Sequence, residues 1–193
     1  MKKMLLILAL AMVSFANAQK GTVLVGGNIG FTSEKIEQQG VETKNNSFAF
    51  SPKVGYQFTD NWTVGAEFGI ATSKGTVLNN ETKYNDLRIG AFARYSVPLN
   101  DTFSVFADFG AGFQNQNNKS YINDSLATES KADGFYVGVT PALFINMKKG
   151  FGLNFSIGGL EYETLSYDTS DTDYSNFNFN FGRTVNIGIS KNF

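Results

Sequence analysis

The sequence contains no cysteine and no histidine among its 193 residues. Without cysteine there is no disulfide framework, no thiolate nucleophile and no cysteine-based zinc or iron–sulfur site. Without histidine there is no Ser–His or Cys–His catalytic relay and no imidazole-liganded metal. Charged residues make up 17% of the chain and the net charge is −1, so no basic surface favours a nucleic-acid partner. We therefore expect no metal, no cofactor and no nucleic acid.

Long apolar runs are also scarce, and the one that exists lies at the N-terminus. Lys2 and Lys3 precede an uncharged apolar run, 4–15, and a small-x-small sequence follows at 16–18. This pattern predicts a cleaved signal peptide, 1–18, and a mature chain of 19–193. A transmembrane anchor is the alternative, but the run is shorter than the ~20 residues that a spanning helix needs. Any later membrane crossing must use strands.

Glycine and phenylalanine are abundant, at 20 and 19 residues, and they alternate along the chain. After residue 61, for example, Trp62, Val64 and Phe68 alternate with Thr63 and Glu67. Eight such period-2 segments predict an all-β fold, an eight-stranded antiparallel up-and-down barrel. Short turns are expected near residues 60, 100 and 149. Long polar loops are expected at 32–46, 72–84, 115–132 and 163–175.

The two faces of these strands decide which side of the barrel meets lipid. An eight-stranded barrel is only just wide enough for side chains to fill its interior. The large apolar side chains must therefore point outward, with Gly, Ser, Thr and Asn inside. A soluble lipocalin-like barrel, whose apolar face would line a cavity, is disfavoured because such an exposed surface would aggregate. The sequence predicts a transmembrane β-barrel of the bacterial outer membrane, expected to be a monomer.

Six charged side chains fall on the predicted inward face. Counting residues about the turn near residue 60 places Lys53 opposite Glu67, and Arg94 lies within one diagonal step of Asp108. Because buried charges are costly unless they are paired, we interpret this group as a network that plugs the lumen. An ion pathway is the alternative interpretation. The predicted members are Lys53, Glu67, Asp86, Arg88, Arg94 and Asp108.

Two further features bear on the strands. Pro52 and Pro141 lie inside predicted strands and each removes a backbone donor, so a local irregularity is expected at both. Aromatic residues cluster near the strand ends, as expected of girdles at the two lipid interfaces. At the short-turn rim these interfacial aromatics are Tyr56, Phe58, Trp62, Tyr95, Phe103 and Phe151.

The hairpin sequence GYQFTDNWTVGAEFGI and the final NIGISKNF resemble those of the small OmpA/OmpX-type outer-membrane β-barrel family of Gram-negative bacteria. The resemblance implies outer-membrane lipid and lipopolysaccharide as surroundings and the barrel-assembly machinery as a partner during biogenesis. In that family the C-terminal strand is read by this machinery. Lys191 departs from the pattern, whereas the positions that fit it are Val185, Ile187, Ile189 and Phe193.

The functional expectation is a structural or surface-interaction role, adhesin-like, with an unidentified extracellular ligand bound by the long loops. A narrow pore for small solutes is the alternative. We do not expect an enzyme, since outer-membrane barrel enzymes such as lipid A deacylases, palmitoyltransferases and omptin proteases rely on a histidine that this chain lacks. The acidic segment 163–175 is interpreted as a solvated loop, with cation binding as the weaker reading.

Overall fold

A computed structural model of the chain describes residues 21–38, 40–168 and 172–193. The predicted signal peptide lies outside these residues. Eight strands follow one another and pair in chain order as a closed antiparallel barrel, which confirms the predicted fold. In the described part of the chain, no helix is long and apolar enough to cross a membrane. The strands are β1 Val23–Gln38, β2 Val41–Gln57, β3 Trp62–Val77, β4 Asn80–Pro98, β5 Phe103–Ile122, β6 Ser125–Lys148, β7 Phe151–Tyr167 and β8 Thr172–Asn192.

Strand β5 illustrates how the alternation is used. Phe109 and Phe113 point outward and are 45% and 73% exposed, whereas Phe106 and Asp108 point into the lumen and are buried. The same division holds on the neighbouring strands, because antiparallel pairing keeps side chains of one face together. The barrel thus has an apolar exterior and a lumen that mixes polar, charged and a few aromatic side chains.

The long loops expected on one rim are absent from the described residues, and that part of the prediction is wrong. Most of the residues assigned to loops continue the strands, which run for 16 to 24 residues. The hairpins at this rim close tightly, for example at Asn123 and Asp124, whose φ angles are +50° and +61°. Asn and Asp tolerate this left-handed conformation well, as a tight two-residue hairpin requires.

These strands are longer than a bilayer needs, since a tilted transmembrane strand takes roughly 9–11 residues. On β5 the outward apolar positions extend from Phe103 to Phe113, and the outward positions beyond them are Asn115, Asn117 and Lys119. The strands keep their alternation here, because Gln116 faces inward and is buried while Asn115 is exposed. We call the polar strand extensions at 32–38, 41–46, 72–77, 80–84, 115–122, 125–132, 163–167 and 172–175 the collar.

The two prolines behave differently. At Pro141 the β6–β7 register shifts between Val139 and Ala142, as expected. At Pro52 the β2–β3 pairing omits two residues between Phe50 and Lys53 but resumes in the same register. At Pro52 the missing N–H therefore interrupts the β2–β3 pairing without changing its register, whereas at Pro141 the register of β6 against β7 also shifts.

Candidate functional site

The lower lumen holds a cluster of four charges, contributed by β2, β3, β4 and β5. Lys53 lies directly opposite Glu67 and Arg94 directly opposite Asp108. The Arg94 guanidinium donates two hydrogen bonds to Asp108, from Nε to Oδ1 at 2.6 Å and from Nη2 to Oδ2 at 2.9 Å. Lys53 Nζ joins the two pairs, at 2.9 Å from Asp108 Oδ2 and 3.3 Å from Glu67 Oε2. Two positive and two negative charges thus form one closed network.

Aromatic side chains surround this lower cluster. The Tyr136 hydroxyl donates a hydrogen bond to Glu67 Oε1 at 2.8 Å. The Arg94 guanidinium carbon lies 3.7 Å from the centroid of the Phe106 ring, and Lys53 Nζ lies 5.1 Å from that of Phe92. All three rings are buried. Cations stacked on aromatic rings and bonded to carboxylates retain favourable contacts on every side after leaving water.

Glycine makes room for these large side chains. A Cβ atom on Gly110 would lie 2.7 Å from Glu67 Oε1, and one on Gly65 would lie 2.8 Å from the Phe92 ring. Both distances are shorter than real Cβ contacts, so a larger residue at either position would displace a member of the cluster. At these two positions the use of glycine is thereby explained by close packing inside a narrow lumen.

A second cluster lies nearer the collar and is centred on Arg88. Its Nη1 donates to both carboxylate oxygens of Glu161 at 3.2 and 3.1 Å, and its Nη2 donates to Glu163 at 3.1 Å. Asp86 lies 3.4 Å from the Arg88 Nε. Glu161 and Glu163 belong to β7 and face the lumen, so the interpretation of Glu163 as part of a solvated loop is wrong. One guanidinium here faces three carboxylates.

The sequence predicts six inward-facing charges, and the structure places all six in the lumen. The sequence did not identify Glu161, Glu163 and Tyr136 as their partners. The missed contacts cross the barrel, as from β4 to β7 for Arg88 and Glu161. Counting residues about a turn predicts pairs only between neighbouring strands, so it could not have predicted these contacts. Alternation carried on from the outward Ile157 would have placed both glutamates outside. A bulge near Gly158 reverses the faces of β7, so that Leu160 points outward and Glu161 inward.

The outer face of the collar carries a different arrangement, a set of Lys–Glu–Lys triads. Glu42 bridges Lys35 and Lys44. Glu81 bridges Lys74 at 2.5 Å and Lys83 at 2.8 Å. Glu129 lies 3.3 Å from Lys119 and 3.6 Å from Lys131. We call the six lysines of these three triads the lysine row.

Several members of the lysine row are neighbours of like charge. Lys35 pairs with Lys44 across β1 and β2, and Lys83 pairs with both Lys74 and Lys119 across β3, β4 and β5. Directly opposite like charges destabilise a sheet. The collar segments of β3–β5 carry three lysines and one glutamate, whereas those of β1 and β2 carry two lysines and three glutamates. The cationic side of the collar is therefore the one formed by β3–β5.

Hydrogen bonds from the lysines keep the bridging glutamates ionised. Those from Lys35 and then Lys44 lower the pKa of Glu42 to about 2. Those from Lys74 and Lys83 lower the pKa of Glu81. At neutral pH each triad therefore holds two ammonium groups and one carboxylate, an excess of one positive charge. A shallow outward groove of about 240 Å³ is lined by Lys74 and Lys83, which share one triad, and by Phe31 and Phe48.

The remaining predicted residues lie on the outer surface. At the short-turn rim the Trp62 and Tyr95 rings pack with centroids 4.9 Å apart. The other four interfacial aromatics, Tyr56, Phe58, Phe103 and Phe151, are also exposed at that rim. On β8, Val185, Ile187 and Ile189 point outward, and Phe193 exchanges two backbone hydrogen bonds with Val23. Lys191 Nζ lies 4.3 Å from the centroid of the Phe193 ring.

Comparison with known proteins adds family and fold. Residues 4–184 match the family described as outer membrane protein beta-barrel domain. The attachment invasion locus protein Ail of Yersinia pestis, solved with the heparin analogue sucrose octasulfate, is 15% identical with a TM-score of 0.50, covering 90% of this chain and 99% of that one. Neisserial surface protein A is 16% identical with a TM-score of 0.45, covering 89% and 97%.

The translocator domain of the autotransporter NalP from Neisseria meningitidis is a larger structure than this chain. It is 16% identical with a TM-score of 0.46; the match covers 91% of this chain and 65% of that one. A comparison with curated protein sequences finds no match.

Proposed function

We propose that this chain, which belongs to the outer membrane protein beta-barrel domain family, is a surface-interaction protein of the bacterial outer membrane. Its collar binds an anionic saccharide through the lysine row. The transmembrane part of the barrel holds the collar at the membrane surface, and the charges of the lumen stabilise that support.

The like-charged pairs of the lysine row carry this proposal. Lys74, Lys83 and Lys119 occupy one level on three adjacent strands, where stability alone would favour alternating signs. Sulfate or phosphate groups placed across them would remove that repulsion and gain charge-assisted hydrogen bonds. The rigid strands also hold the lysines in place before binding, which reduces the entropy lost on association.

Two kinds of ligand are anionic saccharides of this type: a sulfated glycan outside the cell and the phosphorylated saccharide of lipopolysaccharide. The heparin analogue bound by Ail is of the first kind. The groove lined by Phe31 and Phe48 together with Lys74 and Lys83 favours a ligand that also has an apolar part, as the second kind does. Both sources share the anionic groups that the lysines would contact.

The test is calorimetric titration of the protein in phospholipid nanodiscs. Sucrose octasulfate should bind with an affinity that falls as salt rises, and the variant Lys74→Gln/Lys83→Gln/Lys119→Gln should bind about tenfold more weakly, since exposed charge contacts each contribute up to about 1 kcal/mol. The matched control replaces Lys148, Lys149 and Lys191 at the opposite rim and should bind as the parent does.

A second titration distinguishes the two sources. Vesicles that contain lipid A, and vesicles that contain its dephosphorylated form, are compared in their association with the same variants. A preference for phosphorylated lipid A that depends on the three lysines assigns the ligand to the membrane. Binding of sucrose octasulfate alone assigns it to an external glycan, and the absence of both overturns the proposal.

A narrow pore is the second candidate, because a cavity of about 630 Å³ lies in the lumen beside the charged clusters. The closed network of Lys53, Glu67, Arg94 and Asp108 supports a plugged lumen instead. Planar-bilayer recording of the parent protein distinguishes them. We expect no stepwise conductance, and discrete channels would favour the pore.

A further inference from the structure

The barrel has one weak seam, between its first and last strands. Among the described residues, β1 and β8 pair only from Leu24 with Asn192 to Gly27 with Ile189. Other neighbouring strands pair along most of their length. From Asn28 to Gln38 every residue of β1 is exposed. This includes the residues whose side chains would face the lumen if β1 and β8 were paired along their whole length. The wall of the barrel is therefore slit beyond Asn28, whose side-chain oxygen still lies against Gly188 of β8.

The sequence explains why β8 leaves β1. Against β7, Asn186 pairs with Ser156 but Phe181 already pairs with Gly158, so β8 holds extra residues between these two rungs. Gly158 and Gly182 both have positive φ angles, +110° and +75°, which glycine adopts freely and other residues rarely do. Pairing with β1 ends at Ile189, and the bulge beyond Asn186 bends β8 so that the two strands do not pair again towards the collar.

The lumen cavity of about 630 Å³ opens at this slit. Its lining includes the polar Ser51, Ser156 and Asn186 together with outward apolar residues beside the slit, Ile29 and Ile187. One continuous surface thus passes from the charged interior of the barrel to its lipid-facing exterior. Unpaired backbone at membrane depth is tolerated where it borders a polar cavity of this kind.

The described charges of the lumen have a sign preference, although those that line the cavity itself are three cations and three carboxylates. The lower cluster is balanced, with two cations and two carboxylates. The upper cluster is not, because Arg88 is the one cation among the described side chains that contacts Asp86, Glu161 and Glu163. Of these carboxylates, Glu161 lines the cavity and is the most exposed, with 42% of its side chain accessible. A cationic group in the cavity would complement this excess.

We propose that the slit between β1 and β8 is a lateral entry through which a cationic amphiphile binds. Its ammonium group lies beside Glu161 in the lumen, and its alkyl chain leaves between Ile29 and Ile187 into the bilayer. The site is separate from the lysine row, which is on the outer face of the collar and selects anions. The two proposals are tested independently, so a failure of saccharide binding would not contradict this site.

The test uses a long-chain alkylammonium with a diazirine next to the nitrogen, added to the protein in nanodiscs and irradiated. Mass spectrometry should find label on lumen-facing Ser51 and Ser156, which lipid does not touch in a closed barrel. The carboxylate of the same chain should label them several-fold less. Equal labelling by both probes, or none by the alkylammonium, overturns the proposal.

A locked variant tests the route. Continuing the β1–β8 register would place Gly30 opposite Asn186, so Gly30→Cys/Asn186→Cys, joined by a disulfide or a short bis-thiol reagent, closes the slit. Labelling of Ser51 and Ser156 should be lost on locking and return on reduction of the disulfide. The control Val25→Cys/Lys191→Cys joins residues already paired and should label like the parent. Undiminished labelling of the locked barrel overturns lateral entry.

A charge variant tests the headgroup contact. Glu161→Gln should reduce alkylammonium labelling about fivefold, as expected for losing one partly exposed ion pair. Asp133→Asn, which neutralises an outward carboxylate of β6, should leave labelling unchanged. Heat-modifiable migration on a gel shows that each variant is folded. A folded Glu161→Gln protein that labels like the parent contradicts the assigned contact.

Discussion

The lumen and the outer face of the collar both carry lysines beside glutamates, yet they use them differently. Inside the barrel, Lys53, Arg88 and Arg94 each lie within 3.4 Å of a carboxylate, with 9–27% of each side chain accessible. On the collar, six lysines share three glutamates, with 31–54% of each side chain accessible, and several face one another directly. Buried charges must be satisfied within the fold, whereas exposed ones can be left in excess for a ligand. Removing a charge should therefore affect stability inside the barrel and binding outside it.

The largest effect is expected from Asp108→Asn in the lower cluster. It leaves Lys53 and Arg94 with one carboxylate, Glu67, and breaking a buried ion pair costs about 3 kcal/mol or more. Urea unfolding in lipid vesicles, followed by the fluorescence of Trp62, should show this loss. The matched change Glu81→Gln on the collar should cost less than about 1 kcal/mol. Equal losses for the two variants would contradict the comparison.

A smaller effect is expected from Gly65→Val. Its side chain would collide with the Phe92 ring and with the β2 backbone, and overpacking of this kind costs about 1–3 kcal/mol. Gly75→Val is the control, since a Cβ atom on Gly75 meets nothing within 4 Å. The same urea unfolding assay applies. If Gly75→Val proves as damaging as Gly65→Val, strand propensity rather than lumen packing governs these positions.

Tyr136→Phe removes one hydrogen bond from the lower cluster and leaves its ion pairs in place. The free energy of unfolding should fall by about 1 kcal/mol, because Glu67 Oε1 loses its donor. Tyr162→Phe, at an outward position of β7 packed near Phe135, should change stability less. The reverse order would show that the outer aromatic residues, and not the lumen, dominate the stability of the barrel.

The smallest effect concerns pH. Protonation of a bridging glutamate would add positive charge to the lysine row and strengthen anion binding. Hydrogen bonds from Lys74 and Lys83 lower the pKa of Glu81, however, and the pKa of Glu42 is about 2, so both carboxylates should stay ionised where an ordinary glutamate, with a pKa near 4.3, is already protonated. We expect the affinity for sucrose octasulfate to be flat from neutral pH to about pH 4. A rise between about pH 5 and 4 would show that the triads do not hold in solution.

The sequence predicted the transmembrane part of the fold because one face of each strand meets lipid and the other the lumen. Alternation of apolar with small or polar residues reveals that contrast in the sequence, as at Ile29 and Phe31 or at Phe109 and Phe113. In the collar both faces are polar: Asn115 and Lys119 point outward while Gln114 and Gln116 point inward. Alternation of apolar and polar residues then disappears although the strands continue, and the segment resembles a loop.

The contacts of the candidate site likewise divide into those that the sequence predicts and those that only the structure shows. Lys53 with Glu67 could be paired from the sequence because both flank one short turn and the count about it fixes their register. The Lys53–Asp108 and Arg88–Glu161 contacts reach across the lumen, and only the closed geometry of the barrel brings them together. The slit between β1 and β8 was likewise out of reach, since it depends on a bulge near Gly182 that shifts the register of one strand pair.

The collar as a rigid, water-exposed extension of the barrel is the claim on which the comparison depends. Because the chain has no cysteine, single cysteines along β5 can be spin-labelled without background. Outward labels at 103–113 should be accessible to oxygen, and those at 115–121 to a water-soluble relaxation reagent, with alternation of period two throughout the strand. Mobile labels without alternation at 115–121 would show that this segment is a loop and would contradict the account.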